Sequence, residues 1–172
     1  MKSLLFVMLL ITYISNAYSA EGYKDLKFGM SKKQVLKSKI CSFKEVPLNP
    51  DEPWEILMYC ADIKVHGQGG NAIATLVDNK LVRFAIEFIA NPSDVIKELM
   101  TKYNDGKVIG DNITDFTTPG SFTALTFDKA AIMVTILVDT GSKANGIIYY
   151  IDAGYQESNR KLNILKDNLK KY

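Results

Sequence analysis

Leu81-Val82-Arg83-Phe84-Ala85-Ile86-Glu87-Phe88-Ile89 alternates with a period of two, placing Val82, Phe84, Ile86 and Phe88 on one side and Arg83 and Glu87 on the other. Successive side chains of a strand point to opposite faces, so this pattern predicts a strand with one buried and one wet face. A few residues later the period changes. Asn91 is a good helix cap, Pro92 suits the first helical position, and Val95, Ile96, Leu99, Met100 and Tyr103 recur at spacings of three and four. A half-dry strand followed by an amphipathic helix predicts a sheet covered on one face by helix.

Working outward from that unit, Trp54 to His66 is strand-like, with Ile56, Met58 and Cys60 on one face and Leu57, Tyr59 and Ala61 on the other. Gly67-Gln68-Gly69-Gly70 signals a turn, Ala72 to Val77 a second strand, and Asp78-Asn79-Lys80 a turn into the third, Leu81 to Ile89. Upstream, Ser31 caps a helix and Gln34, three residues on, completes a capping box, with Val35 and Leu36 as its apolar side. Pro47, Pro50 and Pro53 then make a loop, because proline has no amide to donate. Downstream, Asp105-Gly106 ends the helix that starts at Pro92, and a polar stretch with Pro119-Gly120 follows it. Phe122 to Phe127, Ala130 to Val138 and Gly146 to Ala153 read as three more strands. Glu157 to Lys171 carries Leu162, Leu165 and Leu169 on one helical face. The expected fold class is therefore α+β: antiparallel sheet meanders with helices packed on one face, in the order helix, three strands, helix, three strands, plus a C-terminal helix.

The first nineteen residues read differently. Lys2 gives a positive start, Leu4 to Ile14 is an apolar run broken only by Thr12 and Tyr13, and Ser15 to Ala20 is a stretch of mostly small residues. That order makes residues 1–19 a cleaved signal peptide, too short to span a bilayer, with Ala17 and Ser19 at the restricted positions if the cut follows Ser19. A cut after Ala17 is the alternative. Residues 20–172 are then expected to form one soluble exported domain, periplasmic or secreted, with no lipid-site cysteine and no later apolar run long enough for a membrane span. The formal net charge of the whole chain is only +2, which makes nucleic acid an unexpected partner. Cys41 and Cys60 are its only cysteines, and in an oxidising compartment such a pair is expected to form a disulfide.

Phe28-Gly29-Met30-Ser31, with Val35 four residues on, resembles the F-G-M-[ST]-x-x-x-V helix start of small exported bacterial domains. These include the outer-membrane-assembly lipoprotein BamE group and the β-lactamase inhibitor proteins. A wider resemblance is to uncharacterised Gram-negative periplasmic proteins. It is carried by Leu81-Val82-Arg83-Phe84, by Lys102-Tyr103-Asn104-Asp105-Gly106 and by a tyrosine in the last strand such as Tyr149 or Tyr150. The resemblance implies export and brings no assigned chemistry.

Catalytic signatures are lacking. His66 is the only histidine and sits beside a glycine-rich turn, no G-x-S-x-G occurs, and Gly67 to Gly70 runs into a strand rather than into the helix a phosphate cradle needs. Asp51, Glu52 and Glu55 belong to the proline loop as solvated charges, and no catalytic, cofactor-binding or metal-ligating residue is expected. Asn112-Ile113-Thr114 matches a glycosylation sequon and is read as incidental. Trp54, Tyr59, His66, Tyr149, Tyr150 and Tyr155 are the candidates for a partner-binding face, since tyrosine and tryptophan combine large area with a polar handle. Sheet core is the competing reading of the aromatic residues among them. The expected function is an exported module that binds or inhibits another envelope or secreted protein without catalysis. An immunity protein against a periplasm-delivered toxin, or a hydrolase with an unfamiliar site, is the alternative.

Overall fold

The computed structural model describes residues 20–46, 55–65, 67–88, 91–109, 116, 118–141 and 143–158. The signal segment, the proline loop, the sequon and most of the leucine-bearing C-terminal segment lie outside them. Along the chain run β1 (Gly22–Tyr23), β2 (Leu26–Lys27), α1 (Lys32–Val35), β3 (Lys44–Val46), β4 (Glu55–Val65), β5 (Gln68–Val77) and β6 (Lys80–Phe88). They are followed by α2 (Pro92–Tyr103), β7 (Lys107–Ile109), β8 (Phe122–Phe127), β9 (Ile132–Val138) and β10 (Ala144–Ile151).

Sheet dominates this fold, and the expected α+β layering is overturned. β3 to β10 form one antiparallel sheet of eight strands in the order β3-β4-β5-β6-β10-β9-β8-β7, and β1 and β2 form a separate two-stranded ribbon. The two expected meanders exist, but they are fused edge to edge where β6 pairs with β10, from Arg83 opposite Ile151 to Phe88 opposite Gly146. The expected first helix shrinks to one turn. Its start is as read, with the Ser31 amide donating to Gln34 Oε1 at 2.9 Å, but Val35 is its only buried residue and Leu36 is 48% exposed. Without an apolar stripe to dock, a helix that short has nothing to offset its nucleation cost.

Three further boundaries differ. Lys44–Val46, for which no element was expected, and Lys107–Ile109, within the expected polar stretch, pair with β4 and β8 as short edge strands. Gln68 to Gly70, read as turn, begins β5: Gly70 lies opposite both Ile63 and Phe88, so close that a Cβ would sit 2.5 Å from the Glu87 carbonyl oxygen. The turn between β5 and β6 is as expected. Asp78 and Asn79 both take positive φ, 49° and 60°, the geometry of a two-residue hairpin whose twist matches its strands.

The buried face carries Met58, Ala74, Phe84, Tyr150, Ile132 and Phe127 in one row, and Cys60, Ala72, Ile86, Ile148, Val134 and Leu125 in the next. Two layers cover it. α2 buries Pro92, Val95 and Leu99; Asn91 caps it by accepting from the Ser93 amide, and Asn104 closes it in the left-handed region at φ 49°. The N-terminal segment contributes Leu26, Val35 and Phe43, and packs Tyr23 in a stack on Phe84 and tilted against Tyr150, with ring centroids 5.5 and 5.2 Å apart. Backbone bonds Gly29 N to Leu81 O and Leu81 N to Met30 O, both 2.8 Å, fasten this segment to the start of β6. Cys41 and Cys60 are joined in a disulfide with Cα atoms 6.2 Å apart, which ties the segment to β4.

Candidate functional site

The face of the sheet opposite α2 carries a mixed surface whose members follow from strand register. Opposite partners give a row of Lys44, Tyr59, Ile73, Ala85, Tyr149 and Met133, running from β3 to β9. Beside it, Asn71, Glu87, Ile147 and Thr135 make a second row, and Leu57, Thr75, Arg83 and Ile151 a third. Ala85 is small, and it stands between Ile73 and Tyr149. The result is a hollow of about 380 Å³ lined by Tyr59, Asn71, Ala72, Ile73, Arg83, Ala85, Glu87, Ile147 and Tyr149.

The rim is apolar and exposed: Tyr59 keeps 37% of its surface and Ile73 42%. Tyr59 and Ile73 lie opposite each other in register, so their exposed apolar surfaces are contiguous. The polar groups are held in fixed directions. Tyr59 donates its hydroxyl to Asn71 Oδ1 at 2.9 Å, and Asn71 Nδ2 donates to Glu87 Oε2 at 2.9 Å, a relay that crosses three strands. On the other side Arg83 donates to Thr75 Oγ1 through Nε and Nη2 at 3.3 and 3.2 Å, and its guanidinium lies 3.9 Å from Glu55 Oε1. The face therefore offers the Glu87 carboxylate, the Arg83 guanidinium and two tyrosines around an apolar floor, a set suited to recognition.

Of the sequence candidates, Tyr59 and Tyr149 come together on this face. Three strand spacings separate them, about 14 Å at the usual 4.8 Å per strand. Tyr150 points the other way and is core, 4% exposed, and burial pushes its phenol well above the ordinary range so that it stays neutral. Tyr155 is half-buried in the helical segment that starts at Ala153 after β10, where its amide donates to Asp152 Oδ1. Trp54 and His66 lie outside the described residues. Sequence reasoning missed Ile73, Asn71, Ala85 and Ile147 as site residues. Arg83 and Glu87 were legible as the wet side of β6, but joining them to Tyr59 and Tyr149 requires the β4-β5-β6-β10 register, which no local pattern encodes.

Cys41, Cys60 and Asp62 cluster closely enough to suggest a metal site. Both sulfurs are spent in the disulfide, so no thiolate is available as a ligand. Among the described residues no helix is long and apolar enough to cross a membrane.

A family model described as "Uncharacterised protein" matches residues 23–168. No curated protein and no solved structure matches the chain. The comparisons therefore add no support to the resemblance of Phe28 to Val35 to the BamE group or to the β-lactamase inhibitor proteins.

Proposed function

The chain belongs to that family of uncharacterised proteins, and on this premise we propose that it is an exported, non-catalytic binding module whose open sheet face docks another envelope or secreted protein. The observation that carries the reading is the hollow over Ala85, ringed by Tyr59, Ile73, Ile147 and Tyr149 and flanked by the tethered Glu87 and Arg83. A partner that seats an apolar side chain over Ala85 and presents a donor to Glu87 and an acceptor to Arg83 satisfies both parts of the surface. Aromatic anchors around a pocket, with polar groups at the rim, are how protein interfaces concentrate their affinity. Export is supported by the order of features in residues 1–19 and by the disulfide between Cys41 and Cys60.

The test is capture from envelope and secreted fractions with the exported protein, in parallel with Ala85→Arg, which fills the hollow while leaving the buried face untouched. The expected result is a partner retained by the unaltered protein and lost by the variant. Equal capture by both, or no partner at all, sinks the proposal. A captured toxin would specify the role as immunity.

A further inference from the structure

Asp128 is a buried acid that the open face does not use. It begins the turn between β8 and β9, where Asp128, Lys129 and Ala130 hold φ of 50°, 55° and 71°, a conformation that non-glycine residues rarely adopt. Asp105 stabilises this turn by accepting the Asp128 and Lys129 amides at 2.7 and 3.1 Å. Asp128 is itself only 7% exposed, and its Oδ2 has no hydrogen-bond partner among the described residues. Burial raises the pKa of this carboxyl, and the neighbouring Ala20 amide opposes that rise. Ala20 is half-buried against the core and is followed directly by the β1–β2 ribbon, with the Phe28 amide donating to the Glu21 carbonyl at 2.9 Å.

An amide offers this buried carboxylate one proton and no charge. Ala20, however, is also the residue that follows Ala17-Tyr18-Ser19, the stretch of the signal segment that suits a peptidase. Hydrolysis of the Ser19–Ala20 bond adds water across it. Ser19 leaves with a new carboxyl group, and the Ala20 nitrogen becomes a primary amine that takes a proton at neutral pH and offers up to three donors. We infer that cleavage after Ser19 completes a buried salt bridge between the Ala20 α-ammonium and the Asp128 carboxylate, so that the mature N-terminus is a structural part of the fold. This inference rests on the export reading. Asp105 and Lys129 face the pair from the turn, and Glu21, Lys27 and Asp152 surround Ala20. A buried carboxylate partner raises the pKa of an amine, so the bridge is intact below the unfolded α-amino value and is lost as pH rises through the folded one.

The experiment is to express the full chain in an exporting bacterium, fix the mature terminus by intact mass, label the α-amine by reductive ¹³C-methylation and titrate it by NMR. The expected terminus is Ala20, with an α-amine pKa at least about one unit above the usual 7.7–8.0. It should return to that range in Asp128→Asn and, in the unaltered protein, on unfolding in urea. The urea measurement decides the matter if Asp128→Asn does not fold. A terminus at Tyr18, or an Ala20 amine that titrates normally in the folded protein, overturns the salt bridge while leaving export standing. An uncleaved chain overturns both.

Discussion

Gly146 lies directly opposite Phe88 on the buried face, and a Cβ built on it would sit 2.2 Å from the Phe88 ring. The absent side chain is thus where the ring goes, and Gly146→Val is expected to destabilise the protein by about 1–3 kcal/mol through overpacking. Urea unfolding checks this, with a lower midpoint and an unchanged slope as the expected result. Nothing in Asn145-Gly146-Ile147 announces such a close approach, because the partner lies 58 positions away in sequence. Asp105 makes a second prediction at this scale. The Asp128 amide, and after it that of Lys129, holds the Asp105 carboxyl below its ordinary value despite some desolvation. A depressed acid contributes stability that is present above its unfolded pKa, near 3.9, and is lost as pH falls through the folded value. Asp105→Ala should cost about 1 kcal/mol at pH 7, the loss of a turn's capping bonds, and the cost should shrink in unfolding curves measured progressively below pH 4. Sequence marks Asp105-Gly106 as a helix stop. Its second task, holding a left-handed turn that starts 23 residues later, depends on where β7 delivers it.

α2 is the element that sequence specifies best, because its signals are local: the Asn91 cap, Pro92 at the first position, and Val95 and Leu99 one turn apart. Leu99→Ala is expected to cost about 2–5 kcal/mol, since Leu99 is 5% exposed and faces the layer beneath the helix. Thermal unfolding followed by circular dichroism checks this. α1 had an equally good start signal and yet stops after one turn, which shows that a cap nucleates a helix and an apolar stripe prolongs it. The covering layer that α1 was expected to supply is built instead from irregular chain carrying Leu26, Val35 and Phe43. Irregular chain needs a fastening. The Cys41–Cys60 bridge provides one across a separation of 19 residues, and closing a loop of that size restricts the unfolded chain by roughly 3 kcal/mol on the entropic view. The double variant Cys41→Ala, Cys60→Ala should lose a stability of that order. Addition of reductant should lower the unfolding midpoint of the unaltered protein and leave that of the variant where it is.

At the scale of the whole molecule, local patterns gave β4, β5, β6, β8, β9 and β10 to within a few residues, yet the way they join was invisible. The β6–β10 pairing links residues 83 and 151 and turns two meanders into one sheet, and only non-local registry places it. With it comes the asymmetry on which the proposed binding role rests, since a single continuous sheet has one face under α2 and the N-terminal segment and the other face free of any covering element among the described residues. The two faces should therefore answer differently to the same chemical change. Ile86 and Ile73 lie on neighbouring strands, Ile86 fully buried on the covered face and Ile73 42% exposed on the open one. Ile86→Ala leaves a cavity and should cost about 2–5 kcal/mol, whereas Ile73→Ala removes contacts already half in water and should stay within about 1 kcal/mol of the unaltered protein. If the open face docks a partner, the order reverses for binding. Ile73→Ala should weaken capture by tenfold or more, a loss of about 1.4 kcal/mol at the rim of the hollow, while Ile86→Ala, at temperatures where it is still folded, should capture as well as the original. Chemical denaturation and a titrated pull-down on the same two variants measure both halves, and a parallel loss of stability and binding at Ile73 would return that face to the status of ordinary core.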